Sequence, residues 1–392
     1  MTTPAKVTYY LADFMTGKYI CELPLTGVTF SMSLNASGRF QGTLNVEDPR
    51  MAQLDWINAT QPGRSVIWVD VDGVLIWGGI IWTRRYTMSA FTVELGANDF
   101  WSYFTRRVQA KDYSYTWIAP EDPMIIAQTV VDDCVAITES AFQPGTIPFT
   151  VVRHGSTELQ SWVMMSYPYM MLQTAEMIVS QLTQMGYLVG FDLNANVAYV
   201  NNVPSVTLDL SYPRSGRIGA ASPVIIDLET ADEFVLPEDA TQTGNQVYET
   251  STSAGSILVI DSWGQAFADG YPLLERLISH PDINSTPIVQ IVLQACATGD
   301  LDLYAYPATV PTVTLPAFGD NPIGSYFVGD DARLVIRNVA GDGMVNNPRF
   351  PNGLDYIWRI TEIEVTIADE GQSTSKLTFN LPPGDAPVRP PV

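Results

Sequence analysis

The sequence predicts a mainly β protein with α+β insertions: two similar small β-barrels, an α+β domain and a small helical segment. Three observations lead there: a strong hairpin signal near residue 70, an ordered echo of it near residue 335, and a change of hydrophobic period between them. In the first hairpin, apolar runs at 66–69 (VIWV, with Trp68) and 74–81 (VLIWGGII, with Trp77) flank Asp70-Val71-Asp72-Gly73. Asp72-Gly73 between runs of Val, Ile and Trp is a tight-turn dipeptide between strands suited to a pleated, half-buried surface. Gly78 and Gly79 interrupt the second strand, where a bulge or a close backbone approach is expected. In the echo, Gly329-Asp330-Asp331-Ala332 leads into 333–337 (RLVIR), and a loop carrying Asn352-Gly353 precedes Tyr356-Ile357-Trp358-Arg359-Ile360 and the strand 363–367. The order of glycine lead-in, strand, Gly-containing turn, Ile-Trp and strand occurs twice, which reads as one motif used twice.

Taken in order, residues 1–108 form the first barrel. Short strands at 7–11, 19–23 and 28–34 precede 40–46, where Phe40, Gly42, Leu44 and Val46 alternate as in a half-buried strand. A short helix is expected within 51–57, a strand at 91–95, and a helical turn at 99–105 (DFWSYFT). The period changes over 109–205, the α+β domain. Asp122-Pro123 is a helix start, with Ile126, Val130 and Cys134 on one face. A second helix at 172–185 has Ala175, Ile178, Val179, Leu182 and Met185 on one stripe, and Gly186 stops it. A hairpin is expected next, from 187–193 through Asn194-Ala195-Asn196 to 197–200. Met164, Met165, Met170 and Met171 fill core or interface. Residues 206–265 return to strands (206–210, 224–228, 257–260) that complete the barrels. Residues 266–310 are the helical segment, with an amphipathic helix at 271–279 burying Leu273, Leu274, Leu277 and Ile278, and a second at 286–297. Residues 311–385 are the second barrel, and 386–392 an extended Pro-rich tail.

Composition excludes more chemistry than it suggests. Forty-two acidic against twenty basic residues, a formal charge of -22, argue against stable nucleic-acid binding, which needs clustered Lys and Arg. No apolar run reaches a membrane span and no signal peptide opens the chain, so no membrane insertion and cytoplasmic synthesis are expected. Cys21, Cys134 and Cys296 lack metal-ligand spacing, and His154 and His280 are the only histidines. A zinc site or a serine–histidine triad is accordingly not expected, nor any cofactor or metal. Residues 373–376 match S-x-x-K without its partner motifs. The pairs Asp132-Asp133, Asp232-Glu233 and Asp330-Asp331 point to opposite faces of a strand rather than at one glycosidic bond. No catalytic residue is assigned.

The residues 9–46 (YYLADFMTGKYICELPLTGVTFSMSLNASGRFQGTLNV), Trp77-Gly78-Gly79-Ile80, GYPLLERLISHPDI at 270–283, GSYFVGDDARLVIR at 324–337 and RFPNGLDYIWRI at 349–360 resemble minor tail proteins of siphophages that infect actinobacteria. The resemblance is to their tail hub, similar to the N-terminal hub part of tail-associated lysins. It implies a phage tail hub fold and a structural virion protein at the tail tip, with no enzymatic activity. The implied assembly is a homotrimer that adapts the sixfold tail tube to threefold symmetry and anchors receptor-binding proteins during attachment and DNA ejection. Its partners would be the distal tail protein ring, the tape-measure protein and other minor tail proteins, with DNA passing an acidic lumen. A hexameric distal tail protein and a cell-wall glycan-binding or glycan-hydrolysing tail protein remain as alternatives.

Overall fold

The computed structural model describes residues 5–51, 54–115, 121–141, 149–155, 166–183, 191–251, 255–260, 265–279, 289–337 and 347–380. Expectations for Met164, Met165 and the Pro-rich tail lie outside these residues.

The chain begins with seven strands: β1 (Val7–Asp13), β2 (Tyr19–Glu22), β3 (Leu25–Ser33), β4 (Arg39–Asn45), β5 (Ser65–Val71), β6 (Val74–Thr87) and β7 (Thr92–Asp99). They pair in the order β2-β1-β5-β6-β7-β4-β3, antiparallel throughout. Alternation puts Phe40, Gly42 and Leu44 of β4, and Val93, Leu95 and Ala97 of β7, on the inner face. The β5–β6 turn is two residues long, with Val71 opposite Val74, and both Asp72 (φ 51°) and Gly73 (φ 85°) are left-handed. Those angles belong to the turn whose twist matches a hairpin. The helical turns expected at 51–57 and 99–105 appear as α1 (Trp56–Ala59) and a 3-10 helix, Phe100–Arg106.

The middle of the chain packs helices on a second sheet. A two-residue strand β8 (Tyr113–Ser114) is followed by α2 (Pro123–Ala141), β9 (Phe149–His154), β10 (Ser166–Tyr167), α3 (Ala175–Thr183), β11 (Asp192–Val200) and β12 (Val203–Ser211). Asp122 caps α2 by accepting the Met124 N–H at 2.7 Å, with Pro123 as first helical residue. Ile126, Val130, Cys134, Ile178 and Leu182 meet Leu208 and Leu210 in one core. The hairpin here differs from the expected one. β11 runs straight through Asn194-Ala195-Asn196, and the turn falls at Asn201-Asn202, both with positive φ (52° and 62°). The two earlier asparagines are satisfied without a turn, since the Asn194 Nδ2 donates to the Val328 carbonyl at 3.1 Å and the Asn196 Nδ2 to Asp209.

Next come β13 (Ile225–Asp227), β14 (Glu233–Val235), β15 (Glu238–Asp239), β16 (Gln246–Ser251), β17 (Gly255–Ile260), α4 (Gln265–Ala268), β18 (Glu275–Ser279), α5 (Val289–Tyr304) and β19 (Ala308–Thr309). The amphipathic helix expected at 271–279 is instead an approach to β18, which pairs parallel with β16. Arg276 and Ile278 turn towards α5, with the guanidinium 3.8 Å over the Tyr304 ring, and Leu277 is 71% exposed. Seven residues behind Pro272 are too few to sustain a helix against a strand edge that satisfies every second backbone group.

The chain closes with β20 (Thr312–Pro316), β21 (Asp331–Ile336), β22 (Leu354–Ile367) and β23 (Thr374–Asn380). With β13 and β14 they pair in the order β13-β21-β22-β23-β20-β14. Numbered along the chain as first to sixth, these strands lie in space as first, fourth, fifth, sixth, third, second. The same holds for β1-β5-β6-β7-β4-β3. The fifth strand has 14 residues in each unit, β6 and β22. The units differ at their first strand, since β1 pairs antiparallel with β5 and β13 pairs parallel with β21. A ladder between β22 and β3, from Glu362 opposite Ser33 to Ile367 opposite Val28, joins them into one sheet. Among the described residues no ladder closes either row into a ring. One hydrophobic core runs through both units.

Candidate functional site: the paired hairpins and their junction

In the first hairpin, Asp70 Oδ1 accepts the Gly73 N–H at 2.8 Å and Asp72 Oδ1 accepts the Lys6 N–H at 2.9 Å. Trp77 opposes Val69 and stacks on Phe40 with ring centroids 5.3 Å apart, while its Nε1 donates to the Ser31 carbonyl at 2.9 Å. Trp68 faces the other side and meets Phe100 at 5.1 Å. Close approach accounts for the glycine pair between them. A Cβ on Gly78 would lie 2.3 Å from the Trp68 ring, and one on Gly79 would lie 2.2 Å from the Asn98 carbonyl oxygen. The ladder irregularities fall elsewhere, at Val69/Asp70 and Ile81/Thr83.

In the second hairpin, Asn352 is exposed, Gly353 is left-handed (φ 80°) and Trp358 is buried opposite Ala332, 4.6 Å from the Tyr356 ring. Trp77 and Trp358 thus belong to the fifth strands of their units and to one core. Gly329 (φ 95°) docks against the loop 214–217, where its Cβ would meet Ser215 Oγ at 2.4 Å. Asp330 accepts the Arg217 and Phe327 N–H groups at 2.7 and 2.9 Å and pairs with the Arg217 guanidinium. Asp331 holds Arg214 through both oxygens, at 2.6 and 2.9 Å, and accepts the Gly219 N–H at 2.6 Å. Arg359, beside Trp358, pairs with buried Asp192, which also accepts the Ser215 N–H at 2.6 Å. Three arginine–aspartate pairs therefore pin the end of the middle sheet to the second unit. Buried charges are tolerable only when closed on partners in this way. Sequence reasoning picked Asp330 but missed Arg214, Arg217, Arg359 and Asp192. The readable signal was two arginines bracketing Ser215-Gly216 in an acidic chain.

This geometry ties parts of the chain to one another. Both carboxylates of Asp330-Asp331 are engaged by guanidinium groups. His154 is exposed and 3.3 Å from Asp209. Burial pushes the Cys21 and Cys296 thiols up to about 11 and raises that of Cys134, which keeps them unreactive. Among the described residues no cluster of His, Cys, Asp or Glu has the arrangement to hold a metal.

No family model and no curated protein matches the chain. Solved structures do. The tail protein of Neisseria meningitidis MC58 aligns with a TM-score of 0.61 at 10% identity over 96% of each chain. The fold is that of this tail protein. The 43 kDa tail protein of prophage MuSo2 from Shewanella oneidensis aligns at 0.60 and 12% identity, over 95% of this chain and 97% of its own. The prophage tail protein gp18 of Listeria monocytogenes EGD-e aligns at 0.52 and 11%, over 96% and 95%. At these identities the likeness is one of fold.

Proposed function

We propose that the protein is a structural component of a phage tail, a trimeric hub at the tail tip that adapts the sixfold tube to threefold symmetry. The observation that supports this most is the strand order used twice in one chain. A sixfold partner offers six similar edges, and three chains with two like units each present six. Fusion of the two units through β22 and β3 keeps them at a fixed spacing, as an adapter requires. The motif residues Trp68, Asp72, Gly73, Trp77, Gly78 and Gly79, and Gly329, Asp330, Asn352, Gly353 and Trp358, are then scaffold residues of equivalent building blocks. The partners are the distal tail ring, the tape-measure protein and other tip proteins, and the place of action is the virion tail tip during attachment and DNA ejection. The protein needs no cofactor and breaks no bond. Light scattering or native mass spectrometry of the purified assembly tests this reading. Three copies support the hub, six point to a distal tail ring, and cell-wall clearing in a zymogram would replace both with a hydrolase.

A further inference from the structure

The negative charge is not spread evenly. Residues 1–112 carry ten basic and ten acidic side chains, whereas residues 113–392 carry ten basic and thirty-two acidic. The whole formal charge of -22 therefore belongs to the second stretch. Five of its arginines, at 214, 217, 333, 349 and 359, are closed onto carboxylates. In the first unit, by contrast, Arg84 and Arg106 have no carboxylate partner among the described residues. Arg84 lies 5.7 Å over the Trp56 ring and donates Nη1 to Thr60 Oγ1 at 3.1 Å and to the carbonyls of Ile57 and Thr60. Arg106 is exposed and lies 5.0 Å over the Trp82 ring. Both belong to one rim, because the loop 60–64 touches Arg84 through Thr60 and passes beside the Trp82 ring at Gly63, where an added Cβ would lie 3.9 Å from it. Arg85, the next residue of β6, points to the opposite face and lies 3.7 Å from Glu94. Stacking holds a guanidinium flat on its indole and leaves the remaining N–H edges for an incoming acceptor.

We infer that this rim is a contact surface for a second copy of the chain and receives its acidic strip at residues 229–239. The strip exposes Glu229, Asp232, Glu233 and Asp239 and contains β14, the terminal strand of the long sheet. The rim lies towards the other end of that sheet, on β6 and the segments beside it. Rim and strip are different patches, so the contact is heterologous, and repeated around an axis it builds a ring. This rests on the hub reading and assigns it one set of contacts. At physiological ionic strength the screening length is about 8 Å, so the two net charges hardly oppose each other at a distance while a rim–strip contact keeps its attraction. A nucleic acid fits less well, because its phosphates would run from the rim onto carboxylate-rich surface.

Sedimentation of the full chain over a concentration series tests the inference. Arg84→Glu/Arg106→Glu is expected to raise the apparent dissociation constant of the assembly by more than about tenfold. Adding Asp232→Arg/Glu233→Arg to the same chain is expected to restore it. Because Arg84 also holds carbonyls, Arg106→Glu alone is the control that leaves that contact intact, and it must weaken assembly with an unchanged melting temperature. Raising salt from about 0.1 to about 1 M, which shortens the screening length from about 10 to about 3 Å, must weaken the wild type. Variants that assemble as the wild type does would overturn the contact and leave the hub reading standing. A wild type that stays monomeric overturns both. Binding of labelled single-stranded DNA by the wild type, lost in variants that still assemble, would make the rim a polyanion site instead.

Discussion

Asp99 shows how a single residue couples the first unit to pH. It is buried, ends β7 and accepts hydrogen bonds from Ser37 Oγ at 2.7 Å and from the Gly38 and Trp101 N–H groups at 2.6 and 3.0 Å. Burial outweighs those donors and pushes its pKa up to about 6. The folded state therefore holds this proton more tightly than the unfolded chain. The resulting stability is complete below about pH 4 and is lost as pH rises through about 6. Denaturant titrations at pH 4.5, 6 and 7.5 should show wild-type stability falling over that window relative to Asp99→Asn, whose side chain cannot ionise; parallel curves would refute the assignment. Gly78 is the second residue whose environment makes a sharp demand. Gly78→Ala places a methyl 2.3 Å from the Trp68 ring, and a shift of that ring costs about 1–3 kcal/mol, read as a lower denaturation midpoint. Sequence alone marks Gly78 as special, since glycine in an apolar strand needs a reason. Asp99 reads there only as the first residue of a helical turn, because nothing local announces its burial.

At the scale of elements, legibility followed period and turn chemistry. Asp72-Gly73, Asp122-Pro123 and the stripe of α3 were readable because each is decided by neighbours in the chain. The stripe makes a direct prediction. Ile178→Asp puts a charge where exposure is 0%, among Val130, Leu182 and Leu208, and should cost several kcal/mol. Circular dichroism melts would reveal the loss, and a stable variant would mean that the stripe is not a core face. Two elements were misread for a shared reason. In 271–279 a strand edge from β16 and a helix face from α5 override a weak helical pattern. In 194–196 partners on Val328 and Asp209 absorb two asparagines that otherwise signal a turn. Both overrides come from residues distant in sequence, so no local pattern reports them. The strand order that makes the two units comparable was hidden likewise. Motifs hinted at repetition, but the relation is topological, and it survives a reversal of the first strand's direction.

For the whole molecule, the arginine–aspartate junction decides whether the middle sheet and the second unit act as one body. Arg359→Met should leave the Asp192 carboxylate buried without its cation and cost about 3–5 kcal/mol, much of it recovered in Arg359→Met/Asp192→Asn. A thermodynamic cycle on the four proteins measures the coupling, and simple additivity would show that the pair contributes none. The β22–β3 ladder has a different consequence, one that belongs to time. Glu362 pairs with Ser33, 329 residues away, and Asp369 accepts the Gly27 N–H across 342. At about 5–20 residues per second, β3 leaves the ribosome roughly 15–65 seconds before its partner exists. During that wait β3 presents a bare strand edge, a template for pairing with another nascent chain. Ribosome-bound chains halted before residue 354 should therefore bind holdase chaperones and be cut by protease within the first unit, whereas chains released at full length should resist. The seam that makes two units one sheet is thus written long after β3, and the first unit spends its early life waiting for it.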